Sequence, residues 1–507
     1  MSQETAPRKA VIIGAGPVGC LTAIALAKQG WLVDIYEGRP DLRLPSSKSA
    51  AQQRSINLAV SSRGISALQA IDPGASDRFL NAAIPMRGRM IHDLQGRQQS
   101  QAYDRNGQCI NSIDRALLNE DLLEEAVRVP GVKVFFKHKV LSIDFDTKNV
   151  SAKSDTGEDL TVPFDFCIGA DGSYSIVRRQ MMRVVRMDYQ QTYIPHEYLE
   201  LRMPAGPSSE PNGEPTFLLD PHHLHIWPRH SFMLIALPNK DKTFTCTLFA
   251  PTSEFERLDS REKTLKWFEA NFPDALPLIG EEALLRDFEN NPRSALITVK
   301  ARPYHYKDRG IIIGDAAHSM VPFYGQGLNC GLEDVRVLDL LLRKYEVDPA
   351  FHPAAGQEDT RLARALHVYS ETRYEDLITI SDLAMDNYTE MRHSVTTPAY
   401  LFRKSLDNIL YYLTAPGASL VRPEELNARA AAQQEPFPAT HPAGWLPLYT
   451  MVTFRPDISY ATVRRKARRQ GDILGYATWA AAAVTVGTLG ITCAHLWRRF
   501  RGSPSAA

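Results

Sequence analysis

Gly14-Ala15-Gly16-Pro17-Val18-Gly19 stands between an apolar run, Lys9 to Ile13, and a helical pattern, Cys20 to Gln29. A second apolar run, Trp31 to Tyr36, then ends on Glu37. Glycines after a buried strand permit a tight turn and a close approach to a pyrophosphate, whose charge the helix N-terminus stabilises. An acid about 20 residues on, at the end of the next strand, accepts hydrogen bonds from ribose hydroxyls. The order strand, turn, helix, strand therefore predicts an α/β, Rossmann-like domain with Gly14, Gly16, Gly19 and Glu37 at a dinucleotide. By itself the motif does not choose between FAD and NAD.

The pattern continues with a helix over Leu117 to Val127 and short strands over Val132 to Phe136 and Phe164 to Ile168. The middle third differs. Leu224 to Trp227, Ser231 to Leu237 and Thr243 to Phe249 are short apolar runs separated by Pro228-Arg229-His230 and Pro238-Asn239-Lys240, which predicts an antiparallel sheet. Met233, Ile235 and Leu237 share one face by the period of two. Buried strand character returns at Gly310 to Ile313, followed by Gly314-Asp315 and the glycines Gly325 and Gly327. Beyond Leu332 the pattern is helical through Tyr412. Ala415 to Gly444, rich in Pro and Ala, is expected to be a loose insertion.

A formal net charge of zero gives no reason to expect nucleic acid as a partner. The six cysteines are scattered without metal-ligand spacing, which indicates reduced thiols in a reducing compartment. His222, His223 and His225 invite a metal reading, but adjacent strand residues point to opposite faces, and no metal is expected. No signal peptide fits the polar N-terminus. Ile473 to Trp497 contains no Asp, Glu, Lys or Arg and is flanked by arginines on both sides. As a helix it would span ~37 Å, so a single transmembrane anchor is expected there.

Three separated motifs in order carry a family resemblance: the glycine turn with Glu37 and Arg39; Gly169-Ala170-Asp171-Gly172-Ser173 with Ser175 and Arg178; and Gly314-Asp315-Ala316-Ala317-His318. This set resembles the single-component FAD aromatic hydroxylases of the p-hydroxybenzoate hydroxylase type. The resemblance covers roughly Lys9 to Tyr460. It implies FAD as cofactor and NADPH as co-substrate without a second Rossmann motif. The implied architecture is an FAD domain (1–190 and 301–345) interleaved with a substrate sheet (191–300). A helical region (346–460) and the anchor (470–500) follow. For FAD it adds Val18, Arg39, Ala59, Arg115, Val140, Asp171, Asp315, Gly327, Leu328 and Asn329.

Further stretches narrow the match. Arg54 to Ala59, Ile84 to His92, His225 to Arg229, Phe244 to Phe249, Asn387 to Arg392 and Pro447 to Phe454 are similar to the family branch that hydroxylates L-kynurenine at ring carbon 3. That branch acts through a flavin C4a-hydroperoxide, within tryptophan degradation and NAD synthesis. The likeness implies Arg89, supported by Tyr103, on the substrate carboxylate, with Arg87 as the neighbouring competitor. Asn387 and Tyr449 are further polar contacts. Leu224, Met233, Ile235, Leu237 and Phe249, joined by Phe323 and Met391, would wall the ring. The aniline nitrogen activates the ring, so no side chain is named as catalytic base. Tyr324 either bonds the substrate or fills space. The resemblance also implies a tail-anchored protein of the mitochondrial outer membrane, its catalytic part facing the cytosol. A membrane-bound flavin monooxygenase of another substrate, or a non-catalytic FAD scaffold, stays open at this point.

Overall fold

The computed structural model describes residues 6–47, 57–208, 213–354, 356–415 and 420–501. Arg54, Ser55 and Ile56, part of the first family stretch, lie outside the described residues. A six-stranded sheet runs in the order His305–Tyr306, Gly310–Ile312, Phe166–Gly169, Lys9–Ile13, Leu32–Glu37, Val132–Phe136. All its pairs are parallel except the first. Its three consecutive central strands are nearly all apolar because helices cover both faces of a parallel sheet. The glycine turn connects the strand Lys9–Ile13 to the helix Pro17–Lys28, and Pro17 opens that helix where no amide is needed.

A seven-stranded sheet has the order Ser294–Arg302, Asp188–Met203, Phe244–Pro251, Phe232–Pro238, His223–Arg229, Gly88–His92, Gln98–Ala102. The three central strands match the expected antiparallel set. Gly88–His92 adds to them in parallel, with Arg89 opposite Leu224 on one rung. Two strands from the 1–190 segment therefore enter the second sheet. Alternation divides its faces. Leu224, Ile226, Met233, Leu237 and Phe249 join the core shared with the nucleotide domain. Trp227, Leu234, Ala236 and Leu248 pack on the far side with Phe268 and Phe272.

Two expectations are corrected. Ala415 to Gly444 is not simply loose: Pro423–Gln433 is a helix whose Leu426 and Ala430 are buried. The transmembrane anchor is also overturned. Tyr460–Arg501 is one helix that starts in the core at Tyr460 and Val463, but among the described residues no helix is long and apolar enough to cross a membrane. Freedom from charge is not hydrophobicity. Of the twenty-five residues from Ile473 to Trp497, thirteen are Ala, Gly or Thr and seven are Leu, Ile or Val.

Candidate active site

The glycine turn is built by close backbone approach. Gly14 has φ +103°, and a Cβ there would lie 2.5 Å from the Ala170 oxygen of the second motif. A Cβ on Gly19 would stand 2.1 Å from the Gly14 oxygen. Above Gly16 the opposite holds: a Cβ would meet nothing within 4 Å. The turn thus leaves open space at the N-terminus of Pro17–Lys28, beside Val18, where a pyrophosphate fits. Glu37 is buried at the rim. Its Oε2 accepts from the Ala15 amide at 3.0 Å, and its Oε1 accepts from the Arg39 amide and Nε, both at 2.9 Å. Burial opposes the charge, yet Arg39 and the amides hold this carboxyl below its usual range. Val140 lies on the strand Lys139–Asp144, whose Lys139 Cα is 4.0 Å from a Cβ placed on Gly38.

The other motifs close the groove. Asp171 Oδ2 caps the helix Ile176–Met181 through the Ile176 and Val177 amides, while its buried Oδ1 has no partner. Arg178 donates to the Ser173 and Ala316 oxygens at 2.7 and 2.6 Å and so ties the second motif to the third. Asp315 is exposed in the first turn of Asp315–His318, after Gly314 at φ +58°. Asn329 accepts from the Ser61 amide and donates to the Ala59 and Gly325 oxygens, joining the strand Asn57–Val60 to the loop before Gly327 and Leu328. Arg115 opens the helix Arg115–Arg128. Its charge pulls on Glu200, which burial still pushes up to about 7. Open space at Gly16, an acid at the ribose end and an exposed Asp315 fit FAD.

Behind this groove stands an aspartate to which no role was assigned from sequence. Buried Asp334 accepts from the Gly314 amide at 3.0 Å and pairs with His318 Nε2 at 2.5 Å and Arg373 at 2.8 Å. Burial raises its pKa, but His318 and Arg373 bring it down to about 2. His318, Cys330 and Asp334 bring three metal-ligand atoms within 4.8 Å of one another. Arg373 donates to both Asp334 and Cys330, so a guanidinium already takes the cation's place.

The residues expected at the substrate converge across the sheet. Arg89 is 5% exposed, whereas Arg87, just before the strand, is exposed. The Arg89 guanidinium lies 5.1 Å from the Tyr449 ring and 5.9 Å from the Tyr103 ring. Tyr449 stacks between Tyr103 (4.9 Å) and Tyr324 (5.7 Å). Tyr324 therefore fills a place in a stack. The Tyr103 hydroxyl is buried without a hydrogen-bond partner. Arg89 Nη1 pairs with Glu390 Oε1 at 3.0 Å, and Tyr400 donates to the same oxygen. Burial works against the Arg89 charge, but Glu390 together with Tyr400, Tyr449 and Tyr103 outweighs it and raises the pKa. Glu390 received no role from sequence. Its spacing of three from Asn387 on the helix Thr360–Arg392 is the available signal, since residues three apart share a face.

Phe323 links the sheet to the flavin-side loop. Its ring packs edge-on to Phe249 at 5.0 Å and stacks on Tyr388 at 3.8 Å. Asn387 Nδ2 donates to the Phe323 oxygen at 2.7 Å, so this amide holds the loop. Leu224, Met233, Leu237 and Met391 are buried, and Ile235 is half-buried. A cavity of about 940 Å³ lies elsewhere, between Ala116, Glu200, Lys240 and Asn290, and includes none of the expected site residues.

The fold and the groove agree with known proteins. Solved structures of 2-methyl-3-hydroxypyridine-5-carboxylic acid oxygenase match with TM-score 0.58 at 20% identity, covering 78% of this chain and 95% of that one. Pseudomonas PqsL in complex with 2-aminobenzoylacetate matches with TM-score 0.57 at 18% identity, covering 76% and 97%. At such identities these show the fold alone. The profile of a family described as FAD binding domain matches residues 8–348, which span the three motifs. Kynurenine 3-monooxygenase of Cryptococcus neoformans is 46% identical over 99% of both chains. The Saccharomyces cerevisiae kynurenine 3-monooxygenase is 41% identical over 95% of this chain and 96% of its own. Likeness at this level over nearly the whole length, on a fold that carries all three flavin motifs, places the chain in the kynurenine 3-monooxygenase family.

Proposed function

We propose that this protein hydroxylates L-kynurenine at ring carbon 3, converting NADPH, a proton and O₂ into NADP⁺ and water as 3-hydroxykynurenine forms. The observation that carries the reading is Arg89, a buried guanidinium between an acid and two phenol rings at the edge of an apolar wall. A planar guanidinium fits a carboxylate bidentately, and burial strengthens the pairing. Arg89 binds the amino-acid carboxylate, and the unpartnered Tyr103 hydroxyl donates to it. Glu390, released from Arg89, takes the α-ammonium.

The ring lies along Leu224, Met233, Leu237 and Phe249, with Phe323 held over it by Asn387. Bound FAD, reduced by NADPH, supplies the activation of dioxygen. The aniline nitrogen donates electrons into the ring, so no strong base is required of the protein. These residues position carbon 3 and exclude water, which otherwise diverts reduced oxygen to peroxide. The test uses purified holoprotein with NADPH, oxygen and L-kynurenine, and product identified by mass. A product 16 mass units heavier is expected. Peroxide without that product overturns the substrate assignment.

A further inference from the structure

Arg63 lies on the helix Ser62–Ile71 with no exposed side-chain surface. Its Nε donates to the Val452 oxygen at 2.6 Å, and its Nη2 donates to Ile458 at 2.7 Å and Met451 at 3.4 Å. Nη1 pairs with Glu333 at 2.8 Å, and the guanidinium sits 4.0 Å over the Tyr460 ring. Two of the three carbonyls belong to the helix Leu448–Phe454. The last four carbonyls of a helix have no donor within it. A helix of seven residues is too short to hold itself by its own hydrogen bonds. Its position therefore depends on what grips it from outside, and Arg63 grips its C-terminal end.

The other end of that short helix carries Tyr449, which lies between Tyr103 and Tyr324 and beside Arg89. Glu333 fixes Arg63 in turn. It is shared with Arg373 at 3.0 Å, and Arg373 pairs with Asp334 behind the flavin turn. The Tyr449 helix and the Gly314 turn are thus held by one buried ion chain.

We propose that Arg63 is a positioning residue for kynurenine binding: it sets the Tyr449 ring against Arg89 while touching neither substrate nor flavin. This rests on the kynurenine reading above. Lysine keeps the charge next to Glu333 but lacks the planar fork that reaches three carbonyls. Arg63→Lys is expected to retain FAD, keep kcat within about twofold and raise KM roughly tenfold, the scale of one charge-assisted hydrogen bond. The Kd of kynurenine, read from flavin fluorescence, rises with it. Tyr449→Phe gives a rise of its own, and the double variant adds little to it, because both changes act on one ring.

Independent effects that multiply in the double variant overturn the proposal. So does a fall in kcat with KM unchanged. If Arg63→Lys does not retain FAD, Tyr460→Leu withdraws the ring beneath the guanidinium with all ion pairs in place, and the same KM rise is required of it. A wild-type chain that does not hydroxylate kynurenine fails at the earlier step and overturns both readings, whereas normal wild-type turnover with an unshifted variant KM overturns only the role of Arg63.

Discussion

Arg89 Nη1 and Glu390 Oε1 stand 3.0 Å apart, so the cation expected to hold the substrate's carboxylate is already paired with a carboxylate of the protein. Binding is then an exchange of partners. The substrate brings both charges needed for it, an acid for Arg89 and an ammonium for Glu390.

Arg89→Met removes the cation and leaves the apolar wall. KM for kynurenine is expected to rise on the order of 10- to 100-fold, the range for hydrogen bonds to charged groups. FAD stays bound, since Arg89 is on the sheet and not on the glycine turn. Steady-state kinetics with flavin content measured alongside check this; an unchanged KM would remove Arg89 from the site.

Glu390→Gln separates the two halves of the exchange. The variant binds L-kynurenine less tightly, because the ammonium loses its partner. It binds the deaminated analogue, which has the carboxylate alone, more tightly, because Arg89 is released. The preference for the amino acid over the analogue falls roughly tenfold, about one charged hydrogen bond. Titration of both ligands against each protein tests it, and an unaltered preference contradicts it.

Gly16 and Gly19 give opposite outcomes. Gly19→Ala puts a methyl 2.1 Å from the Gly14 oxygen, so the turn itself breaks and soluble yield is lost. Gly16→Ala meets no protein atom within 4 Å, and Gly16 has an ordinary φ of −74°. That variant folds, but its methyl enters the space for the pyrophosphate, and FAD affinity falls. Thermal unfolding of the apo forms with FAD titration distinguishes the two; normal FAD binding by Gly16→Ala would show that the open space is not the cradle.

His225 carries a pH dependence of stability. Its Nε2 donates to the Asp220 oxygen, so Nδ1 accepts from His92 Nε2 at 2.9 Å, and His92 pairs with Asp274. Burial pushes His225 down to about 4 from 6.5, with His92 adding to the effect. The unfolded chain takes up its proton first as pH falls through 6.5, and the native state only near 4. Stability is therefore full above 6.5 and lost progressively between those values. The His225 share is on the order of 3 kcal/mol. His305, also lowered to about 4, adds in the same window. Urea unfolding at pH 7.5 and pH 5 is expected to show the loss, and His225→Asn to reduce it; an equal loss in the variant counts against this origin.

Local patterns were legible in the sequence. The glycine turn, Glu37 and the central strands of both sheets follow from periods and spacings within a few residues. What was not legible depends on long-range placement. Asp334, Glu333 and Arg373 sit in helical stretches where charged residues ordinarily face water, and only the packing of three helices against the flavin turn buries them. Glu390 lies within the family stretch Asn387 to Arg392, but its meaning comes from a strand 301 residues away. The C-terminal run misleads because lack of charge is not hydrophobicity. In Ala415 to Gly444, weight on the prolines hides an Ala-rich helix opened by Pro423.

The shared rung of Arg89 and Leu224 has one more consequence. The cation proposed to receive one end of the ligand and the wall proposed to receive the other are fastened by a backbone ladder, not by loops. The pocket therefore works as a gauge of fixed length. Side-chain changes can alter how tightly a molecule is held, but not how far apart its charged head and its ring must be. A slip of one residue would turn Arg89 to the opposite face and abolish the measurement altogether. Selection for a longer or shorter ligand has to act through insertions that re-register a strand, a far rarer event than a point substitution.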